Sequence, residues 1–223
     1  MRLYRGIAVP EASVDATIAA TRENGLLVEG RFWSGLVDAD LRPRLELLWL
    51  SPDLSTELTR PIGEPPVRRI CACARERDAL YYACRHNRTS EDGASILIIC
   101  DVDQRDIVID GRDFLATVFH ASREVLGKLF GPAVLRYADR AWSTPNDNER
   151  IAVCDLARQD HDVIAAHSAN ELVIGGRYRT RFSSAFMVRA PVPAERVVSV
   201  ERVDHHGYVL PDIDITLDRA LGR

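Results

Sequence analysis

The chain has 223 residues, 46% of them apolar and 28% charged, with a formal net charge of −4 at pH 7. That composition is ordinary for a globular protein of one core, and two small domains are the other arrangement the length allows. The charge excludes a chain whose main business is coating nucleic acid or an anionic membrane, although a local basic groove stays open to it.

Of the 29 Lys and Arg residues only Lys128 is a lysine. Guanidinium forks suit phosphate and carboxylate, although an Arg-favouring codon usage leaves the same trace. No apolar run reaches the length of a membrane span, so no membrane partner is expected. No signal core follows Met1, and the cysteines are odd in number: Cys71, Cys73, Cys84, Cys100 and Cys154. Both features predict a cytoplasmic protein with reduced thiols. Cys71-x-Cys73 lacks a second pair at zinc spacing and reads as buried thiols on a strand, so no metal site is expected.

Residues 2–9 alternate as a strand, with Leu3, Arg5 and Ile7 on one face and Tyr4 and Gly6 on the other. Pro10 opens a helix through Asn24, and Gly25 is its stop. Residues 26–69 are irregular, with Pro52, Pro61, Pro65 and Pro66 in the second half, the pattern of a lid or binding loop. Ile70–Ala74 predicts a short strand and Arg75–Arg88 a helix. Ser95–Val102 is the strongest strand signal, an apolar run suited to burial on both faces. Asp106–Ile109 is a short strand ended by the Asp110-Gly111 turn.

Residues 112–172 read as a mainly helical insertion, with helices over Phe114–His120, Glu124–Leu129, Ala133–Trp142, Asp147–Arg158 and Val163–Ala169. Strands follow over Tyr178–Val188, Arg196–Val203 and Tyr208–Leu217. Strands at both ends with helices between them predict an α+β fold in one domain over 1–223. Neither a Gly-x-Gly-x-x-Gly nor a Walker-type loop is present.

Four segments, in order, carry a resemblance. They are Leu3-Tyr4-Arg5-Gly6 with Asn24-Gly25-Leu26; Asp78-Ala79-Leu80-Tyr81-Tyr82-Ala83; Ile109-Asp110-Gly111; and Ser184-Ala185-Phe186-Met187-Val188 with Pro191-Val192-Pro193 and Val197-Val198-Ser199-Val200. Together they resemble the ADP-ribosyltransferase superfamily, and are similar to the RNA 2′-phosphotransferases, the rifamycin-modifying enzymes and the DNA-thymidine ADP-ribosyltransferase toxins. The resemblance implies a split β core and NAD as the substrate. It implies a macromolecular or small-molecule acceptor, nucleic acid or protein among them, and a toxin or effector role with an antitoxin partner. One departure stands out. Transferases of this fold carry a Glu on the first closing strand, and here Ala185 takes that place.

Breaking the nicotinamide–ribose bond builds positive charge on the ribose, as in glycoside hydrolysis. The site needs a grip on phosphate, an aromatic wall and a group that favours the cation. Arg5, with Gly6 beside it, suits the first, because an unpaired charge between Leu3 and Ile7 would be costly. The alternative is an Arg paired within the fold or exposed on an edge. Tyr81 and Tyr82 stand about 100° apart on a helix, so one ring can face a cleft while the other packs. The resemblance points to Tyr82, and core packing of both rings is the other reading.

His86 lies four residues beyond Tyr82, as an acid–base group or a helix cap. Asp110, close to Arg112 and Asp113, is the leading substitute carboxylate, with turn or N-cap chemistry as its alternative. Trp33 and Ser34, after Arg31 and Phe32, suit stacking on nicotinamide or a base, or burial as an anchor. Arg177, Arg179 and Arg181 share a strand face, as a phosphate edge or a solvated one. His205-His206 reads as surface loop.

Overall fold

Residues 2–10 alternate as they read and form β1 (Arg2–Pro10), with Leu3 buried and Arg2 and Pro10 exposed. The computed structural model describes residues 1–27, 68–88, 93–111, 114, 117–118, 121–145, 153–154, 156–176 and 180–216. Trp33 and Ser34, with Arg31 and Phe32, lie outside the described residues, as do Arg112, Asp113, Arg177 and Arg179.

A 3-10 turn over Glu11–Ser13 leads into α1 (Val14–Asn24), so the first turn of the expected helix is tighter than an α-helix. Gly25 ends α1 at φ 76, with its N–H on the Thr21 carbonyl at 2.9 Å. Only glycine fits there. A β-carbon would lie 2.1 Å from the Val192 carbonyl oxygen, where Leu26 and Val192 pair as an isolated bridge.

The next described elements are β2 (Arg69–Ala72) and α2 (Glu76–Tyr81). The helix predicted to Arg88 stops being α-helical at Tyr82. It continues as a π-helical turn over Tyr82–His86, closed by Asn87 N–H on the Tyr82 carbonyl at 2.9 Å. Such i→i+5 turns are rare and occur mostly as single turns within α-helices.

β3 (Gly93–Asp101) is buried along most of its length, as its apolar run predicts, and β4 (Ile107–Ile109) follows a 3-10 turn. Residues 123–169 then supply α3 (Arg123–Phe130), α4 (Ala133–Ser143) and α5 (His161–Ala169). Asp160 caps α5, accepting the N–H groups of Asp162 and Val163.

The C-terminal strands are β5 (Ile174–Gly175), β6 (Arg181–Phe182), β7 (Phe186–Arg189), β8 (Val197–Val203) and β9 (Ile215–Thr216). The strand expected over Tyr178–Val188 is therefore broken. Ser183, Ser184 and Ala185 leave the ladder because side chains accept their N–H groups: Asp78 for the two serines, His167 for Ala185. The strand expected over Tyr208–Leu217 shrinks to β9, as most of its described residues are irregular.

The result is a mixed α and β architecture of small, mainly antiparallel sheets. One sheet has the order β1-β3-β8, a second β2-β7-β4, a third β6-β5-β9, and among the described strands only the β5–β9 pair is parallel. Tyr4 and Cys73 exchange backbone hydrogen bonds at 2.8 and 2.7 Å and tie the first sheet to the second.

The core lies between them. Leu3, Ile96, Ile98 and Val200 of the first sheet meet Ile70, Ile107, Phe186 and Val188 of the second, and α3–α5 add Leu126, Phe130 and Ile164. Burying each such side chain contributes about 1.5–3 kcal/mol. No disulfide is formed by the five cysteines, and Cys71 is the one not fully buried. Among the described residues, no helix is long and apolar enough to cross a membrane.

Candidate functional site

The register of β1 against β3 decides which side chains can meet. Arg5 pairs with Ile98 and Ile7 with Ile96, which puts them on the core side of the sheet with α1. Gly6 pairs with Leu97 and Ala8 with Ser95 on the other side. That side carries α2 and its π-turn. Ser95 Oγ donates to the Ala83 carbonyl at 2.9 Å, and a β-carbon on Gly6 would lie 1.7 Å from the Ala79 carbonyl oxygen.

A cleft of about 430 Å³ opens on the Arg5 side. Arg5, Ile7, Ile98, Ile70 and Arg69 line it, opposite Ser13, Thr17 and Asn24. Its size falls within the roughly 300–1,000 Å³ of small-molecule sites. Two guanidinium groups over an apolar floor suit an anion with a flat apolar part. Arg5 Nη1 donates to the Cys71 carbonyl at 2.7 Å, and burial lowers the guanidinium pKa from its usual value.

The structure does not bring Tyr82 to this cleft. Tyr82 lies on the far side of β1, where its ring is 5.5 Å from that of Tyr81 and 5.3 Å from that of His86. The expectation that His86 shares a face with Tyr82 holds. The expectation that Arg5 and Tyr82 border one pocket is corrected, since α2 packs against Gly6 and Arg5 projects the other way. Gly6 itself serves the helix: its carbonyl accepts Asn87 Nδ2 at 3.0 Å, and it does not line the cleft.

Asp110 lies nearer to Arg5 than sequence separation suggests. Its N–H donates to the Ala185 carbonyl at 2.9 Å, extending the β4–β7 ladder by one step. Its carboxylate is buried and accepts the Cys71 thiol at 3.8 Å. Cys71 thus touches Arg5 through its carbonyl and Asp110 through its sulfur. Neither Cys71 nor Asp110 lines the cleft, so Arg5 is the member common to both arrangements.

The segment around Ala185 is held from two directions by groups that the sequence reading passed over. Asp78 accepts the N–H groups of Ser183 at 2.8 Å and Ser184 at 3.1 Å, and Arg77 Nη2 donates to Ser183 Oγ at 2.6 Å. Burial pushes the Asp78 carboxyl up to about 6, against the pull of those hydrogen bonds and of Arg77.

His167 Nε2 accepts the Ala185 N–H at 3.1 Å, while its Nδ1 faces the Leu129 carbonyl at 3.2 Å. A carbonyl only accepts, so the proton sits on Nδ1. Burial pushes this imidazole down to about 4, which keeps it neutral at pH 7. Arg158 is also fully buried, with Nε on the Ile109 carbonyl at 2.8 Å and its guanidinium against Gly111.

These residues had only weak sequence signals. An Asp in the first turn of a helix is favoured there by the helix dipole whatever else it binds, and nothing adjacent to Arg158 in the chain marks it for burial. A scan against protein-family models and searches of the curated proteins and of the solved structures gave no match to this chain.

Proposed function

We propose that this chain is an NAD-dependent ADP-ribosyltransferase-like transferase, with Arg5 gripping the dinucleotide and Asp110 supplying the carboxylate that Ala185 lacks. The observation that carries this reading is the pair of contacts on Cys71. They bring a guanidinium from the opening strand and a buried carboxylate beside Ala185 to one residue. A fixed guanidinium binds phosphate or ribose oxygens, and a nearby carboxylate favours the cationic ribose of the transition state. Tyr82 does not provide the aromatic wall in this reading. The acceptor is a macromolecule or a small molecule, in keeping with a bacterial toxin or effector and its antitoxin partner.

The test is nicotinamide release from NAD by the purified chain, with nucleic acid, protein lysate or neither as acceptor. Wild-type protein should release nicotinamide, and Arg5→Ala and Asp110→Asn should each lower the rate by about a hundredfold or more. Release that survives both substitutions rules the site out. The second reading is an RNA 2′-phosphotransferase, favoured by Arg5 and Arg69 on one cleft. It is distinguished by NAD-dependent loss of a 2′-phosphate from RNA. Binding of NAD with no turnover of either kind would identify a nucleotide-binding module instead.

A further inference from the structure

We propose that Asp204, His205 and His206, just beyond the end of β8, form a binding site for a first-row divalent ion of the zinc class. One ligand atom from each of the three side chains lies within 4.8 Å of the other two. Zinc-class ions bind imidazole nitrogen and carboxylate oxygen at about 2.0–2.2 Å, which puts donors around one ion roughly 3–4 Å apart.

A second observation points the same way. Nε2 of His205 is buried and has no hydrogen-bond partner, a state that costs stability until something binds the nitrogen. The loop backbone is already held. The Asp204 carboxylate accepts the His206 N–H at 2.9 Å, and Arg85 donates to the carbonyls of His205 at 3.3 Å and Tyr208 at 3.0 Å.

The donor set selects the ion. Two imidazoles and one carboxylate suit zinc, copper or nickel rather than calcium or magnesium, which prefer an all-oxygen shell. The positive charges of Arg85 and Arg88 near His205 also disfavour a cation held by charge alone. Three protein donors leave a coordination position for water, the form of an open site. None of the three residues borders the Arg5 cleft, so this site stands apart from the proposed transferase reading.

The test is calorimetric titration of the full chain with Zn²⁺, together with absorption spectra of the Co²⁺ complex. One saturable equivalent is expected, with Co²⁺ ligand-field bands and no thiolate charge-transfer band, since the five cysteines are the competing ligands. His206→Ala should weaken Zn²⁺ binding by roughly tenfold or more with an unchanged circular dichroism spectrum. Asp204→Asn, which keeps an acceptor for the loop, should weaken it as well and serves if the first variant does not fold. Absence of saturable binding, a thiolate band, or unaltered affinity in the folded variants overturns the proposal.

Discussion

The two sides of β1 are built differently. On the Gly6 side the strand meets α2 backbone to backbone, with no room for a single methyl group. On the Arg5 side α1 stands off, and a cleft remains between it and the sheet. Close backbone approach makes a rigid wall that excludes ligand. A long cationic side chain on the opposite face holds space open and carries a charge into it. The difference leaves an open cleft on one side of the strand and close packing on the other, although adjacent residues serve the two.

The strongest challenge to that contrast is Gly6→Val. If the packing is as tight as the geometry requires, the substitution should lower the unfolding free energy by about 3 kcal/mol or more, read by urea denaturation. A loss under about 1 kcal/mol would mean that α2 can move away and the wall is soft.

Arg5→Ala comes next. It should remove nicotinamide release while the chain still unfolds cooperatively in urea, with a loss of unfolding free energy of about 3 kcal/mol or less, the scale of one charged hydrogen bond such as that to the Cys71 carbonyl. Collapse of the fold in this variant would make Arg5 a structural residue.

A third pair of variants probes how the Ala185 segment is held. Asp78 is raised from 3.8 to about 6 in the folded chain, which therefore keeps a proton that the unfolded chain releases. Its contribution is complete below the unfolded value and is lost as pH rises through about 6. His167 is lowered from 6.5 to about 4, so the folded chain lacks a proton that the unfolded chain takes up. Its contribution is complete above 6.5 and is lost as pH falls through about 4.

Each group carries about 3 kcal/mol across its window, with opposite slopes where the windows overlap. Relative to wild type, the stability curve of Asp78→Asn should tilt upward with rising pH, and that of His167→Gln should tilt downward. Curves parallel to wild type would show that neither group is perturbed by burial. The smallest expected effect is that of Tyr82→Phe. The ring lies beyond the sheet from the cleft, so NAD turnover should stay within about twofold of wild type. A large loss would return Tyr82 to the active centre and erase the distinction between the two faces.

Much of the element order is legible in the chain because it depends on local periodicity. The alternation of Leu3, Arg5 and Ile7, the stop at Gly25, the apolar run of β3 and the end of β4 at Ile109 all appear where the pattern puts them. The break at Ser183–Ala185 was not legible. Its cause is a carboxylate on α2 and an imidazole on α5, both far away in sequence. The same limit applied to Arg158, whose neighbours in the chain say nothing of the Ile109 carbonyl it meets. The Asp204-His205-His206 grouping was readable only as adjacent polar residues, since side-chain rotation decides whether their ligand atoms converge.

Local sequence was enough to specify β1, β3 and the stop of α1 and that Arg5 stands on an apolar face, because those follow from a short repeat or a single glycine within one segment. Pairing between distant strands decided the rest. It put Tyr82 behind the sheet, brought Asp110 to Ala185 and joined both halves of the candidate site at Cys71. Registers of that kind are chosen by the packing of whole faces against one another, a collective energy that no single stretch of chain contains.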